Sequence, residues 1–202
     1  MARTAGSTGA DTVERLREAA LELFAREGYA AVSMRAIAAR TGVQAGAIYN
    51  YFPTKQDILF DLLVGHMEAL ATAWREMERL STAEIRLADF VRFHVRYHLV
   101  RPREMFISYM ELRSLEEDNF RRIREFRRGY EAIPRQMIEQ GMAKGAFDVL
   151  DAEVTTRAII ALLNGLTTWY REDGRLSLGE IETVYIGLVS RMVGAREEEG
   201  NV

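Results

Sequence analysis

The chain has 202 residues, of which 48% are hydrophobic, so it can form one large domain or two small ones with a sizeable core. It contains no cysteine, which excludes disulfides, thiol catalysis and zinc fingers. No apolar run reaches the ~18–20 residues of a membrane span. The first segment, MARTAGSTGA, lacks the hydrophobic centre of a signal peptide. We therefore expect a cytoplasmic protein without membrane contact, in which residues 1–10 form a disordered arm.

Charge is distributed unevenly along the chain. The formal net charge is -3, but residues 1–55 carry seven Lys or Arg against five Asp or Glu, which leaves -5 on the remainder. Between Gly28 and Gln56 there is no acidic residue, whereas Arg35, Arg40 and Lys55 are present. A basic N-terminal segment on a more acidic body has the sign expected of a protein that binds a polyanion.

The N-terminal segment predicts three helices. Asp11 and Glu14 have the spacing of a capping box, so the first helix is expected to begin at Asp11 and to end at Gly28. Ser33 is a candidate cap for a second helix, which the sequence Thr41-Gly42-Val43 ends with a turn that needs a positive φ at Gly42. A third helix is predicted from Gln44 to about Tyr51. Two short helices joined by a glycine-containing turn form a helix-turn-helix, whose second helix can enter a DNA major groove.

The third predicted helix has an apolar side and a side of small or polar residues. Val43, Ile48 and Phe52 have spacings that turn inward. Small residues let a backbone approach base edges, and Gln and Asn side chains can bond them. The outward residues are Gln44, Ala45, Gly46, Ala47, Tyr49 and Asn50. An alternative interpretation is a helical interaction protein without sequence-specific DNA binding.

The string IAARTGVQAGAIYNYFPTKQDIL resembles the DNA-binding signature of TetR-family transcriptional regulators, and the match runs from about Thr12 to Leu63. The resemblance implies a dimeric repressor that binds a pseudo-palindromic double-stranded DNA operator and leaves it when a small molecule binds the helical body. It also implies phosphate contacts from Ser33 and Arg35 and base contacts along residues 44–50. Tyr49 and Tyr51 would give hydroxyls to phosphates, with Lys55 beside them. The implied DNA-binding residues are Ser33, Arg35, Gln44, Ala45, Gly46, Ala47, Tyr49, Asn50, Tyr51 and Lys55.

The rest of the chain also reads as helical, so the predicted fold is all-α with about nine helices. Pro53 ends the third helix, and Thr54 with Asp57 caps a helix that runs to about Leu80. Further helices are predicted for residues 82–100, from Pro102 to 112, for 120–143 with a kink at Pro134, for 151–170 and from Ser177. The predicted division is a DNA-binding domain over 11–54, a ligand-binding and dimerisation domain over 55–195, and a frayed tail over 196–202.

The last two long helices are predicted to pair with those of a second copy as a four-helix dimer interface. The penultimate helix is apolar nearly all round, which predicts that it faces both its own core and a partner. Gly165 and Ala161 would allow close approach. The predicted interface residues are Ile159, Leu162, Leu166, Trp169, Tyr185, Leu188 and Met192.

The middle helices are rich in bulky, adaptable side chains, which predicts a small-molecule pocket, although ordinary core packing explains such residues equally well. The candidate pocket residues are Trp74, Phe90, Phe93, His94, Tyr97, Phe106, Tyr109, Met110, Phe126, Tyr130 and Met137. The string WYREDGRLSLGEIETVYIGLV resembles a subgroup in which several members respond to acyl-coenzyme A thioesters, with departures at Glu172 and Leu178-Gly179. The basic run of Arg121, Arg122, Arg124, Arg127 and Arg128 would meet phosphates of such a ligand or form a charged helix face paired with Glu116, Glu117 and Glu125.

His94 and His98 lie one helical turn apart, a spacing that can chelate a metal, but the only other histidine is His66. We therefore assign His94 to a pocket or core wall with a hydrogen-bond partner, and expect no metal or cofactor. No Ser-His-Asp order, glycine-rich phosphate loop or catalytic carboxylate pair is found, so we do not expect an enzyme.

Overall fold

A computed structural model describes residues 9–77 and 80–195; residues 1–8 of the predicted arm and the whole predicted tail lie outside this part of the chain. The described residues contain helices and no strand, which confirms the predicted all-α class with eight α-helices rather than about nine. The α-helices are α1 (Gly9–Glu27), α2 (Met34–Thr41), α3 (Lys55–Met77), α4 (Ala83–Leu99), α5 (Pro102–Met110), α6 (Glu117–Ala143), α7 (Ala152–Trp169) and α8 (Leu178–Met192).

The chain divides into two compact units. The first contains the described residues up to Met67 together with Arg103–Glu125, and the second contains Glu68–Pro102 with the chain from Phe126 onward. In the first unit α1 packs on α2. Its buried side chains include Leu16, Phe24, Ile37, Ile48 and Ile58.

Helix α2 has the beginning and the end that its sequence predicts. The Ser33 hydroxyl accepts a hydrogen bond from the Ala36 N–H at 3.1 Å, which satisfies one of the free N–H groups of the first turn. Gly42 has φ 70°, and its N–H and that of Val43 bond carbonyls of the last turn. This left-handed residue turns the chain out of α2 and toward the next segment.

The predicted third helix over 44–51 is wrong in type and length: the structure has a 3₁₀ turn, Ala47–Asn50. The Ala47 N–H bonds the Gln44 carbonyl at 2.8 Å and the Tyr51 N–H bonds the Ile48 carbonyl at 3.0 Å, and both bonds span three residues. A segment this short gains few i→i+4 bonds, has no side-chain cap and contains Gly46, so tighter turns replace an α-helix. Ile48 and Phe52 are nevertheless buried as predicted.

In the second unit α4 packs on both α7 and α8, and α7 packs on α8. The helix starts are those that the sequence predicts. Thr82 and Asp151 each cap the helix that follows, and Ser177 forms a complete capping box with Glu180. The largest buried side chains of this unit include Trp74, Phe90 and Leu70.

Two other boundaries differ from the sequence prediction. Helix α1 begins at Gly9, so Asp11 lies inside its first turn and is not the N-cap, and two residues of the predicted arm are helical. Helix α6 begins at Glu117, so the helix predicted over 120–143 starts three residues earlier than expected. Pro134 lies inside α6, which continues to Ala143. Within the described parts of the chain, we find no helix with the length and hydropathy that crossing a membrane requires.

The turn after α2 gives a test of backbone strain. A Cβ at Gly42 would meet no atom within 4 Å, so Gly42→Ala introduces only the cost of a left-handed φ. We expect it to lower the free energy of unfolding by about 1 kcal/mol in urea titrations. Gly65→Ala is the matched control, because Gly65 lies in α3 with equally open space, and there alanine should raise stability by about 0.5–1 kcal/mol. Equal stability of Gly42→Ala and the wild type would contradict the need for positive φ.

Candidate nucleic-acid interface and basic cleft

The turn after α2 presents polar side chains on a buried foundation. Ile48 and Phe52 are buried, whereas the Tyr49 side chain is 50% exposed and that of Tyr51 is 37% exposed. Asn50 between them is exposed as well. Of the other predicted contact residues, Ala47 and Lys55 are half-buried, and those exposed are Ser33, Arg35, Gln44, Ala45 and Gly46. The structure therefore places this set at the surface of the first unit, apart from Lys55, which has a further role.

Lys55 is engaged inside the first unit. Its Nζ donates to the carbonyl oxygens of Tyr29 and Val32, each at 2.7 Å, and lies 4.1 Å from the centroid of the Tyr29 ring. Burial lowers the pKa of Lys55, and the nearby Glu111 carboxylate opposes that shift. Two of its three N–H donors are therefore used to hold the loop that precedes α2. Lys55 therefore ties α3 to this loop, a structural role that the sequence did not predict, and its predicted contact with phosphate stays a prediction.

Glu111 and Gln56 complete this connection, and sequence reasoning missed both. The buried Glu111 carboxylate accepts from the Tyr29 N–H at 3.1 Å and from the Ser114 hydroxyl at 2.8 Å. Gln56 donates to the Tyr29 hydroxyl at 3.0 Å and accepts from the Glu116 N–H at 3.1 Å. Burial raises the pKa of the Tyr29 phenol, which stays a neutral hydrogen-bonding group. The only sign of this connection in the sequence was the carboxylate of Glu111, which directly follows the apolar residues of α5.

The basic residues of the first unit differ in how fully they are paired. Arg40 donates to the Glu22 carboxylate of α1. The stretch between Gly28 and Gln56 contains no acidic residue, but the fold brings a carboxylate from α1 against it. The Arg17 guanidinium donates two hydrogen bonds to the Asp61 carboxylate, at 2.6 and 2.9 Å, and these bonds raise the pKa of Arg17. Arg35, in contrast, is exposed in the first turn of α2 and has no carboxylate within ion-pair distance among the residues that the structure describes.

The candidate pocket residues separate into four groups. Five are buried in the second unit: Trp74, Phe90, His94, Tyr130 and Met137. Four of these five carry rings, which contact one another at centroid distances of 5.3–5.9 Å. Phe126 is half-buried. Three more lie in the first unit on α5 with partly exposed side chains: Phe106, Tyr109 and Met110. The remaining two, Phe93 and Tyr97, are largely buried and line an open cleft.

His94 belongs to a buried polar chain, and its predicted hydrogen-bond partner is confirmed. Its Nδ1 lies 3.0 Å from the Tyr130 hydroxyl and its Nε2 lies 3.0 Å from Asn164 Oδ1. His98 Nδ1 lies 2.9 Å from the His94 carbonyl oxygen. Both nitrogens of His94 are thus committed to protein groups, and no cluster of three potential metal ligands occurs in the described parts of the chain.

The basic run in α6 forms contacts along its own helix and with a neighbour. Arg121 pairs with Asp118, one turn earlier, rather than with the predicted Glu116, Glu117 or Glu125. Arg122 lies over the Phe60 ring at 4.5 Å, and Arg124 lies over Phe120 at 5.7 Å. These three guanidinium groups are exposed. The arrangement favours the interpretation as a charged helix face.

The cleft lies entirely within the second unit and has a volume of about 600 Å³. Its apolar wall consists of Met77, Phe93, Tyr97, Val100 and Leu178. The charged side chains that line it are Arg92, Arg96, Arg101 and Asp89. A concave, largely apolar surface with a few polar groups is typical of small-molecule sites.

Arg96 is fixed by a carboxylate behind the cleft. Its Nε and Nη2 both donate to Glu182 of α8, the second at 2.8 Å, and the Glu182 side chain is only 5% exposed. Hydrogen bonding to Glu182 raises the pKa of Arg96, which therefore stays charged. The pair links the two helices that pack most extensively in this unit.

The predicted dimer-interface residues are divided between core and surface. Ile159, Leu166 and Tyr185 are buried within the chain, where they form core beneath the surface of α7 and α8. Leu162 and Leu188 are half-buried, and Trp169 is 54% exposed. Met192 and the neighbouring Val184 and Val154 are also exposed. Burial raises the pKa of Tyr185, whose hydrogen bond with Trp169 has the opposite effect.

Two family models match the chain. The model described as "Bacterial regulatory proteins, tetR family" matches residues 16–62, and "Tetracyclin repressor-like, C-terminal domain" matches residues 80–193. The fatty acid metabolism regulator protein of Bacillus subtilis is 27% identical over 164 residues, which covers 80% of this chain and 84% of that protein. The HTH-type transcriptional repressor KstR2 of Mycobacterium tuberculosis is 24% identical over 209 residues, covering 99% and 100%.

Solved structures show the same fold. A bacterial regulatory protein in the tetR family from Rhodococcus RHA1 superposes with a TM-score of 0.87 at 28% identity, covering 95% of this chain and 100% of that chain. AibR, solved in complex with isovaleryl coenzyme A and operator DNA, superposes with a TM-score of 0.82 at 19% identity, covering 92% and 100%. At that identity the second likeness concerns the fold alone.

The contacts of Lys55 predict a loss of stability on its removal. Lys55→Met keeps the aliphatic stem but leaves two carbonyls without their donor, so we expect the free energy of unfolding to fall by about 1–2 kcal/mol, a value reduced for the partial exposure of the ammonium. Arg35→Ala is the control, because that side chain is exposed, and it should change stability by less than about 0.5 kcal/mol. Equal urea midpoints for the two variants would contradict the structural role of Lys55.

Proposed function

The chain belongs to the tetR family of bacterial regulatory proteins, and from this premise we propose that it is a dimeric transcriptional repressor that binds a pseudo-palindromic operator in the cytoplasm. The observation that carries the proposal is the exposed turn at residues 44–51, which displays polar and small side chains above the buried Ile48 and Phe52. A rigid foundation under an exposed polar turn is what reading of base edges requires.

Gly46 gives this proposal a specific argument. Its φ of -77° is accessible to any residue, and a Cβ there would meet no atom within 4 Å. The fold of the chain therefore does not require glycine at this position. Close approach to DNA would require glycine at this position, because each carbon added to the side chain holds the backbone away from the bases. Ala45 and Ala47 beside it are also small, which extends the surface open to close approach.

The groups around this turn suit phosphate. Arg35 has no carboxylate partner among the described residues, and the N-terminus of α2 adds a partial positive charge next to Ser33. The exposed Tyr49 and Tyr51 carry hydroxyls that can donate to phosphate oxygens. Lys55 has one N–H donor left after its two carbonyl bonds, so any phosphate contact from it is secondary to its structural role.

The proposal includes a homodimer built on the outer faces of α7 and α8. Trp169, Met192 and Val184 are large apolar side chains exposed on these two helices. Ala161 is exposed and Gly165 has open space around it, so another helix can approach closely at this point. Two copies related by a two-fold axis would present two heads to the half-sites of a palindrome.

We also propose that a small-molecule effector releases the operator, and that acyl-coenzyme A thioesters are the first class to examine. The support is the likeness of 80% of this chain to a regulator of fatty acid metabolism and the fold shared with AibR, which was solved with isovaleryl coenzyme A. The cleft in the second unit offers a site of suitable size. These relatives are named as regulators, so the proposal gives the chain no catalytic role.

Binding of DNA is tested with a duplex from the promoter region upstream of the protein's own gene, in gel shifts at 50 and 200 mM salt. Specific binding should weaken steeply with salt as counterions return to the phosphates. Tyr49→Phe should weaken binding by about 1 kcal/mol on every sequence, whereas Asn50→Ala should change the preference at particular bases. Wild-type protein that binds no duplex at either salt concentration would contradict the proposal and favour a helical interaction protein without DNA.

The dimer is tested by sedimentation equilibrium at micromolar concentration. Gly165→Glu should produce a monomer, because a Cβ at Gly165 meets no atom of its own chain within 4 Å, whereas the new carboxylate blocks and charges the proposed contact. Gly129→Glu is the control, because Gly129 is likewise a helical glycine of the second unit with open space for a Cβ, and it should remain dimeric. A monomeric wild type, or a dimeric Gly165→Glu, would contradict the proposed interface.

A further inference from the structure

The cleft of the second unit combines an apolar wall with an excess of positive charge. Phe93 and Tyr97 supply aromatic surface, and three guanidinium groups line the cleft against the single carboxylate of Asp89. Its volume of about 600 Å³ lies within the range of sites that bury a small organic ligand. The question is whether the three arginines are occupied by the fold or available to a ligand.

Arg101 is held in place without being neutralised. Its guanidinium stacks over the Tyr97 ring at 3.9 Å, and its Nη1 donates to the Tyr97 carbonyl at 3.1 Å. In the described part of the chain no carboxylate comes within ion-pair distance of it. A stacked guanidinium keeps its planar edge available, and that edge matches a carboxylate or phosphate.

Arg96 and Arg92 keep free donors as well. Glu182 engages the Nε and Nη2 of Arg96 from behind, which leaves three of its five N–H donors unused in the hydrogen bonds of the described residues. Glu182 thereby orients a guanidinium whose side chain is still 60% exposed. Arg92 donates to Asp89 through its Nη1 at 2.6 Å, and its other N–H groups make no hydrogen bond to the residues that the structure describes. The three arginines therefore present more donors and more charge than their own partners consume.

We propose that this cleft binds an amphipathic organic anion, with the carboxylate or phosphate on the three guanidinium groups and an apolar chain along Phe93 and Tyr97. The inference rests on the proposed function, because it states the chemical class of the effector and its place in the fold. Phosphate and carboxylate share the recognition chemistry, and a coenzyme A thioester or a free fatty carboxylate would supply them. Glu182 is a positioning residue, because it acts on the ligand only through Arg96.

The test is isothermal titration calorimetry on DNA-free protein at 100 mM salt with octanoyl-coenzyme A, coenzyme A, octanoate and octanol. We expect one of the two amphipathic anions to bind and octanol to bind at least tenfold more weakly, because it lacks the charge. Tighter binding of the thioester than of octanoate identifies phosphate as the recognised group, and the reverse identifies carboxylate. Affinity for the anion should fall as salt is raised.

Site-directed variants place the binding at the cleft. Arg101→Gln and Arg92→Gln should each lower the affinity for the anion roughly tenfold, which is the loss expected for one charge-assisted hydrogen bond. Arg101→Lys should lower the affinity less, because it keeps the charge. Arg171→Gln is the matched control, because Arg171 is exposed, lies outside the residues that line the cleft and donates to the Tyr170 carbonyl, and this variant should bind the anion normally. Melting curves by circular dichroism establish that each variant is folded.

Two outcomes would overturn the inference: no binding of either amphipathic anion by the wild type, or undiminished binding by folded Arg92→Gln and Arg101→Gln variants. Neither outcome bears on DNA binding, which is measured separately by gel shift without ligand. Conversely, a wild type that binds no DNA but binds the anion through these arginines would refute the proposed function and leave the anion site standing.

Discussion

The burial of Ile48 and Phe52 is the constraint on which the surface of the first unit depends. A 3₁₀ turn of four residues has too few hydrogen bonds to persist in water by itself, so its position must come from side chains packed into the core. Ile48 lies inside that turn and Phe52 lies two residues after it, and both side chains are buried. Tyr49, Asn50 and Tyr51 are exposed because the residues on either side of them are fixed.

The second determinant is the loop between α1 and α2, which carries most of its polar contacts through the main chain. Lys55 bonds the carbonyls of Tyr29 and Val32, and Glu111 bonds the Tyr29 N–H. A loop held through its backbone keeps its course whatever its side chains are, and this loop sets where Ser33 begins α2. The same logic applies to Gly42 at the other end of the helix, where φ rather than side-chain packing directs the chain. The helix is thus fixed at both ends by backbone geometry.

The sequence predicts what is local and misses what is distant. Ser33, Thr82, Asp151 and Ser177 were predictable as caps because each bonds a backbone N–H three residues ahead, within the same short string. The burial of Ile48 and Phe52 followed from spacing. The choice between an α-helix and a 3₁₀ turn at 44–51 could not be made from spacing, because the pattern of inward residues is similar for both over so few positions.

The candidate sites follow the same division. Exposure of Tyr49 and Asn50 was predictable from the alternation with Ile48 and Phe52, but the role of Lys55 was not, because its carbonyl partners are fixed by the fold, 23 and 26 residues away. Glu182 and Arg96 are 86 residues apart, and neither has a local feature that marks a partner. A list of aromatic residues on helices likewise cannot separate core from cleft: Phe90 and Phe93 lie in one helix turn, and only Phe93 lines the cleft.

A comparison of the arginines shows how one residue type serves two purposes in this chain. Arg17 and Arg40 meet carboxylates in bidentate or multiple bonds, and their charge is spent on holding helices together. Arg35 and Arg101 have no such partner among the described residues, yet Arg101 is not loose, since its stack on Tyr97 and its bond to a carbonyl fix its plane without cancelling its charge. Aromatic faces and carbonyl oxygens can orient a cation in this way, whereas a carboxylate both orients and neutralises it. A guanidinium meant for an external anion should therefore be held by the first kind of contact, as Arg101 is, or by a carboxylate that leaves most of its donors unused, as Glu182 leaves those of Arg96. Arg92 is paired with Asp89 of the cleft itself and contributes the donors that this single bond leaves over.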